Sequence, residues 1–214
     1  MQINADTFIF FGALVVAVIL HEISHGVVAL WLGDDTAKRA GRLTLNPIPH
    51  IDPFGSIILP ALSALAGFGI GYAKPVPVNP ARLHNPKRDY LWVSLAGPAT
   101  NLFLMSVSAL AAHFVFQGVD HPLSGQLIDY PVGFRILFLF AAVNLGLGVF
   151  NLLPIPPLDG SAIFEQFMPD SWRPGWYRFR QYGILILFAL LFWGGLGDRL
   201  FNPLLSNLAD FVVS

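Results

Sequence analysis

The stretch VVAVILHEISHGVVALWLG, from Val15 to Gly33, reads as a membrane-spanning helix that carries three ionisable side chains. Such side chains are costly inside a bilayer and usually mark a functional site. His21 and His25 are four residues apart, so in a helix they share one face and both imidazoles can reach a single ion. The stretch therefore predicts a spanning helix and a candidate metal site within it.

The composition of the whole chain also indicates a membrane protein. Of the 214 residues, 55% are hydrophobic and 12% are charged, whereas soluble domains contain roughly 25% charged residues. The net charge of −1 gives no reason to expect a nucleic-acid partner. Cysteine is absent, which excludes disulfides and thiolate metal sites, so any metal must be held by histidine and carboxylate ligands.

Four apolar segments are predicted to cross the bilayer, at about 7–32, 91–116, 132–153 and 181–197. A further segment, 55–72, has enough apolar residues to span but contains a proline and four glycines. It is either a fifth span or a segment that enters the membrane and returns. We therefore expect an all-α polytopic membrane protein with a bundle of about 4–6 transmembrane helices. A re-entrant or short β-containing segment is expected near 42–72.

The distribution of lysine and arginine predicts the topology. Residues 74–90 and 154–180 are rich in these cations, whereas 117–131 contain none. By the positive-inside rule, the first two segments face the cytoplasm and the third lies outside. Both flanks of 55–72 then lie on one side, which favours re-entrance. The same topology places His21 to His25 toward the cytoplasmic side, at the depth where the 132–153 span ends.

The opening motif matches H-E-x-x-H, the pattern of zinc metalloproteases. Histidine nitrogens suit Zn²⁺, and Glu22 is placed to take a proton from a metal-bound water rather than to bind the ion. The alternative is a pair of buried histidines that only make hydrogen bonds. Three ionisable groups within five residues of an apolar helix make that alternative the weaker one.

The third metal ligand has fewer candidates. A three-histidine site is excluded because positions 28 and 31 are Val28 and Trp31, and Glu165 has no accompanying acidic motif. Asp159, in NLLPIPPLDG, lies at the matching depth, and the flexibility of Gly160 is expected to let its carboxylate turn inward. Asp159 is therefore the predicted third ligand, although an isolated L-D-G is more often a turn.

Other polar residues have weaker interpretations. Asn151 precedes Asp159 by eight residues and either holds the substrate backbone or oxyanion or makes a helix-to-helix hydrogen bond. His50 and Asp52 are expected to fix the re-entrant segment or contact substrate rather than bind metal. Asn101, close to Gly97, indicates close helix packing with a polar contact.

These motifs resemble the signatures of the site-2 protease family of intramembrane zinc metalloproteases. Besides HEISHG and NLLPIPPLDG, the chain contains NPIPHIDPFGSIILP, GYAKPVPVNP and LAGPATN in the family's order, so that the resemblance covers about 7–165. It implies that His21, His25 and Asp159 bind one Zn²⁺ per chain and that Glu22 activates water.

The resemblance also implies the function and its setting. The expected activity is cleavage of the transmembrane segments of membrane proteins or peptides by attack of a zinc-bound water. The expected location is the cytoplasmic membrane of a prokaryote, with lipid as a partner. We expect a single domain over 1–214, with a catalytic core at about 7–165, a C-terminal helix and tail at 181–214, and no PDZ or CBS domain.

Two other functions use the same ligands. A non-hydrolytic membrane metal-binding or transport protein is the main alternative, but transporters commonly show paired broken helices, and no such repeat is visible in the sequence. A transporter also has little use for Glu22 beside its first histidine. An inactive homologue that acts as a chaperone is expected to have lost one of the four key residues, and all four are present.

Overall fold

The computed structural model describes residues 5–52, 74–116, 122, 127–193, 195 and 197–213. Within these ranges the regular structure is helical and contains no strand, which confirms the all-α class. Residues 53–73, which include the whole of 55–72, lie outside the described residues, so the choice between span and re-entrance stays a prediction. The described residues 42–52 contain a 3₁₀ turn at Ile48–His50.

Seven α-helices occur in the described ranges. They are α1 (Ala5–Trp31), α2 (Thr36–Arg39), α3 (Pro86–Val115), α4 (Val132–Asn151), α5 (Asp159–Phe167), α6 (Arg173–Phe192) and α7 (Asn202–Val213). Of these, α1, α3 and α4 are long and apolar enough to cross a membrane. At about 1.5 Å per residue, even the 20 residues of α4 match the ~30 Å hydrocarbon layer. The prediction of a polytopic membrane protein is thereby confirmed.

The fourth predicted span differs from the structure. Instead of running over 181–197, the helix α6 begins at Arg173 and ends at Phe192. Its first half carries Arg173, Arg178 and Arg180, and its apolar second half, 183–192, is only ~15 Å long. The predicted bounds are therefore wrong, because apolar content marked the second half and gave no sign that the helix starts in a basic, aromatic segment.

The packing divides the chain into two compact units, one of Met1–Ala17 with Pro98–Ser214 and the other of Val18–Gly97. The predicted single domain over 1–214 stays a prediction. The core of the first unit is built by α3, α4 and α7. The rings of Phe134 and Phe138 stack on each other. They belong to one buried cluster with small residues of α3 and α7, including Ala109 and Ala209.

Two buried polar contacts hold the helices of the first unit together. The Asn101 amide of α3 donates to the Asn144 side-chain oxygen of α4 over 2.8 Å, and both residues are fully buried. The Arg135 Nε of α4 donates to the Asp6 carboxylate of α1 over 2.6 Å. Both contacts satisfy polar groups that would be expensive to leave alone in an apolar interior. The expected polar contact of Asn101 is thus present.

In the second unit, the fully buried Asp34 ties the end of α1 to Asn79, at the end of the segment 74–79. One carboxylate oxygen accepts the Thr36 N–H over 3.0 Å and the Thr36 hydroxyl, and the other accepts the Asn79 N–H over 2.6 Å. Burial acts to raise the pKa of Asp34, but the hydrogen bonds from Thr36 and Asn79 outweigh it and hold the pKa below its usual value.

We predict that Asp34→Asn destabilises the protein by ~1–3 kcal/mol, because the amide turns one acceptor into a donor that faces a buried N–H. Thermal unfolding in detergent at neutral pH measures the effect. The depressed pKa of Asp34 means that its contribution is complete above the ordinary value of 3.8 and is lost as the pH falls through the lowered pKa.

The matched control is Asp35→Asn at the neighbouring position, where the carboxylate makes surface ion pairs with Arg39 and Arg82. This variant should unfold close to the wild-type temperature. Equal effects of the two substitutions at neutral pH would contradict the role assigned to Asp34.

Candidate metal centre

The two histidines of α1 point at the same place. His21 and His25 are both buried, at 7% and 8% exposure, and their Nε2 atoms are 3.1 Å apart. Two ligand nitrogens at ~2.0–2.1 Å from one tetrahedral ion would be ~3.3 Å apart. The pair therefore fits a shared zinc ion, as the helical spacing of the sequence predicts.

The protonation of His25 is set by a backbone carbonyl. Its Nδ1 lies 2.6 Å from the Val93 carbonyl oxygen of α3. A carbonyl only accepts hydrogen bonds, so the proton of this bond is on Nδ1, and in the neutral ring Nε2 is the nitrogen that carries the metal-binding lone pair. Such contacts to the second ring nitrogen orient metal-binding histidines.

Gly97 of α3 keeps the space beside the two nitrogens open. A Cβ atom built at this position would lie 2.5 Å from the Nε2 of His21 and 2.5 Å from the Nε2 of His25. That distance is far below a normal contact, so any side chain at Gly97 would displace the imidazoles. A glycine is required here because α3 approaches the two histidines closely. Gly97 therefore contacts the candidate metal site itself, which is more specific than the general helix packing expected from the sequence.

Glu22 is anchored by the backbone of the segment that follows residue 73. Its Oε2 accepts the Val76 N–H over 2.7 Å. This hydrogen bond engages one of the two carboxylate oxygens of Glu22, and it links α1 to the segment 74–79. Glu22 thus lies next to the first histidine with a defined side-chain orientation.

Asp159 is the first residue of α5 and is partly buried. Gly160, which follows it, does not have a positive φ. A Cβ at Gly160 would instead overlap the carbonyl oxygens of Leu152 and Leu153 at the end of α4. Gly160 is needed here because α5 begins in close contact with the residues that end α4. The expectation that its flexibility lets the Asp159 carboxylate turn inward stays a prediction.

Asn151 is the last residue of α4, and its amide nitrogen donates to the Leu147 carbonyl of the same helix over 3.0 Å. The helix ends at Asn151 and does not continue toward Asp159. Of the two interpretations of Asn151, a helix-to-helix hydrogen bond is not the contact that its amide nitrogen makes, since this bond lies within α4. A role in binding the substrate or oxyanion stays a prediction.

His50 is a buried structural residue. Its Nε2 lies 3.0 Å from the Thr44 carbonyl oxygen, and its own carbonyl accepts the Lys74 N–H over 2.9 Å. These bonds hold the loop 44–50 against residue 74. The expectation that His50 and Asp52 fix the re-entrant segment or contact substrate stays a prediction, because that segment lies outside the described residues. Sequence reasoning missed Val93 and Val76, because each contributes a backbone group that its side chain does not reveal.

Two buried histidines whose Nε2 atoms converge beside a glutamate, on a helix long enough to span a membrane, define a membrane metalloenzyme of the H-E-x-x-H class.

The family model for Peptidase family M50 matches residues 125–194. The protein named "Putative zinc metalloprotease YwhC" from Bacillus subtilis (strain 168) is 38% identical over 202 residues, covering 94% of this chain and 87% of its own length. "Putative zinc metalloprotease Rip2" from Mycolicibacterium smegmatis is 32% identical, covering 90% of this chain and 69% of its own. No solved structure matches the chain.

The chain belongs to peptidase family M50, the site-2 proteases. It is a zinc metalloendopeptidase and a multi-pass membrane protein, as the sequence motifs predicted.

We predict that Gly97→Ala lowers the affinity for zinc at least ~10-fold, because the added methyl group occupies the space beside both Nε2 atoms. Zinc bound per purified chain, measured by atomic emission after dialysis against a graded chelator, reports the change.

Gly12→Ala serves as the control, since a Cβ at Gly12 of α1 would meet no atom within 4 Å. This variant should retain wild-type zinc. If Gly97→Ala also retained wild-type zinc, the packing of α3 against the histidines would not bear on metal binding.

Proposed function

We propose that this protein is an intramembrane protease that cleaves transmembrane segments of membrane-protein substrates, in the process of regulated intramembrane proteolysis. The observation that carries the proposal is the convergence of the His21 and His25 Nε2 atoms, 3.1 Å apart, beside Glu22 on an apolar spanning helix. A metal site at this depth serves chemistry on a substrate that is itself in the membrane.

The proposed metal ligands are His21, His25 and Asp159. The histidines are supported by their geometry and by the Val93 bond, which puts the His25 proton on Nδ1 and the lone pair on Nε2. Asp159 is supported by the L-D-G motif, which resembles the second signature of the family, and by the oxygen donor that a carboxylate adds to two nitrogens. A bound zinc ion would supply Lewis acidity, which lowers the pKa of water and polarises a carbonyl.

Glu22 is the proposed general base. The Val76 N–H engages its Oε2, so Oε1 is the oxygen that takes a proton from the attacking water. Glu22 then passes this proton to the amine of the leaving peptide, so that the carboxylate is regenerated. The role needs a carboxylate that does not bind the ion, and Glu22 lies on the same helix as the two histidine ligands, one residue after His21.

The substrate is proposed to be a transmembrane protein or peptide that reaches the site from the bilayer. A helical substrate hides its carbonyls in i to i−4 hydrogen bonds, so it must unwind locally before attack. The Asn151 amide is proposed to hold the unwound backbone or the oxyanion, exchanging its present bond to Leu147 for the substrate. The basic residues of 74–90 and 154–180 support an active site on the cytoplasmic side.

We predict that Glu22→Gln keeps one zinc per chain and lowers cleavage at least ~100-fold, because the amide cannot accept the proton. His21→Ala should lose both zinc and cleavage. Quantitative proteomics of membranes from cells that carry each variant measures the uncut membrane proteins and fragments that accumulate, and metal analysis of the purified chains measures zinc.

Cleavage that survives Glu22→Gln would exclude the assigned base. The transport alternative makes the opposite prediction, since zinc uptake into vesicles would depend on His21 and would be unaffected by Glu22→Gln. Wild-type vesicles that take up zinc, together with unchanged membrane fragments in every variant, would replace the protease proposal by the transport one.

A further inference from the structure

In the segment KPVPVNP, Lys74 to Pro80, prolines on both sides isolate the backbone N–H of Val76. Pro75 and Pro77 have no N–H and fix φ near −65°, so Val76 is a lone donor between two rigid residues. The donors of this segment bind the protein at separate points. The Lys74 N–H donates to the His50 carbonyl over 2.9 Å, and the Val76 N–H donates to Glu22 over 2.7 Å.

Arg42 binds the carbonyl group of Lys74, the residue whose N–H is bonded to His50. Its Nη2 donates to the Lys74 carbonyl over 2.6 Å, so both backbone polar groups of Lys74 are bonded. Arg42 is buried at 6% exposure. No acidic side chain in the described ranges is recorded as its ion-pair partner. Burial of a guanidinium is expensive, so its contact with a backbone carbonyl indicates a specific task.

Arg42 follows directly after the C-terminal end of α2, where the backbone forms a regular helix-ending turn. Gly41, with φ of +66°, follows α2 in the left-handed conformation. The Gly41 N–H donates to the Lys38 carbonyl, and the Arg42 N–H donates to the Ala37 carbonyl, both over 3.0 Å. This is the Schellman pattern, which fixes the direction of the chain after a helix. Arg42 is therefore delivered to the interior by a rigid turn.

We propose that Arg42 is a positioning residue for the general base. It holds the Lys74 carbonyl, the two prolines carry that restraint to Val76, and the Val76 N–H aims the Glu22 carboxylate. The inference rests on the proposed role of Glu22 and adds the residue that acts on it from 20 positions along the chain.

The physical need for such a restraint follows from the side chain of the base. A glutamate has several rotatable bonds, and a small misplacement of a catalytic group can lower a rate by as much as ~100-fold. A hydrogen bond to Oε2 restricts these rotations while it leaves Oε1 to exchange the proton. The bond is useful only if the Val76 N–H is itself fixed, and Arg42 with His50 supplies that fixation through Lys74.

Hydrogen exchange at Val76 tests the proposal directly. Because Pro75 and Pro77 have no amide hydrogen, a peptide fragment that covers 74–77 reports the Val76 amide alone. In Arg42→Gln we expect this amide to exchange roughly 2- to 10-fold faster, because the hydrogen bond from Arg42 to the Lys74 carbonyl is lost. Cleavage of the membrane protein that accumulates with Glu22→Gln should fall ~10-fold or more, with zinc per chain unchanged.

Two further variants make the test specific. Arg42→Lys keeps a cationic donor for the Lys74 carbonyl and should recover most of the protection and cleavage. Arg39→Gln removes a cation three residues away that pairs with Asp35 at the surface, and it should leave exchange, zinc and cleavage at wild-type values.

The outcomes separate this inference from the proposed function. Unchanged Val76 exchange in Arg42→Gln, or cleavage that falls equally in Arg42→Lys, would overturn the positioning role. Loss of zinc in Arg42→Gln would also overturn it, because the defect would then lie in the metal site. Full cleavage by Glu22→Gln would instead remove the assigned base while leaving the exchange result intact.

Discussion

The organisation of this protein depends on one constraint, which is that an apolar spanning helix must accommodate ionisable groups. In α1 this is achieved by directing His21 and His25 at one point, so that the two Nε2 atoms are 3.1 Å apart. One zinc ion bound there would satisfy both lone pairs, whereas isolated polar groups at that depth would each be costly. Helix α1 must therefore present an apolar surface to lipid and, on another face, hold His21 and His25 in fixed positions.

The groups that support this polar face are mainly backbone atoms. The Val93 carbonyl sets the tautomer of His25, the Val76 N–H orients Glu22, and Gly97 lets α3 approach because it has no side chain. Backbone donors and acceptors on rigid elements move less than long side chains and lose little entropy when they bind. An apolar sequence can thus build a well-ordered polar site with few charged residues.

The sequence singles out the candidate site residues more readily than the groups that surround them. His21 and Glu22 follow from helical periodicity in an apolar run, because ionisable residues are rare there and their spacing is meaningful. The partners Val93 and Val76 could not be predicted, since the side chain of a valine says nothing about its carbonyl or N–H. The bounds of α6 were missed because hydropathy detects only the apolar half of a helix that begins in a basic segment. The close contact of Gly160 with the end of α4 was also missed, because such a contact depends on tertiary structure.

The central claim is that two imidazoles of α1 bind the zinc of this family member. X-ray absorption at the zinc edge of the purified protein tests it most directly, since imidazole rings give distinct multiple scattering. The account predicts two imidazole ligands with Zn–N distances of ~2.0–2.1 Å and oxygen for the remaining ligands. A zinc environment made of oxygen alone, or one that keeps both imidazoles when His25 is replaced, would contradict it.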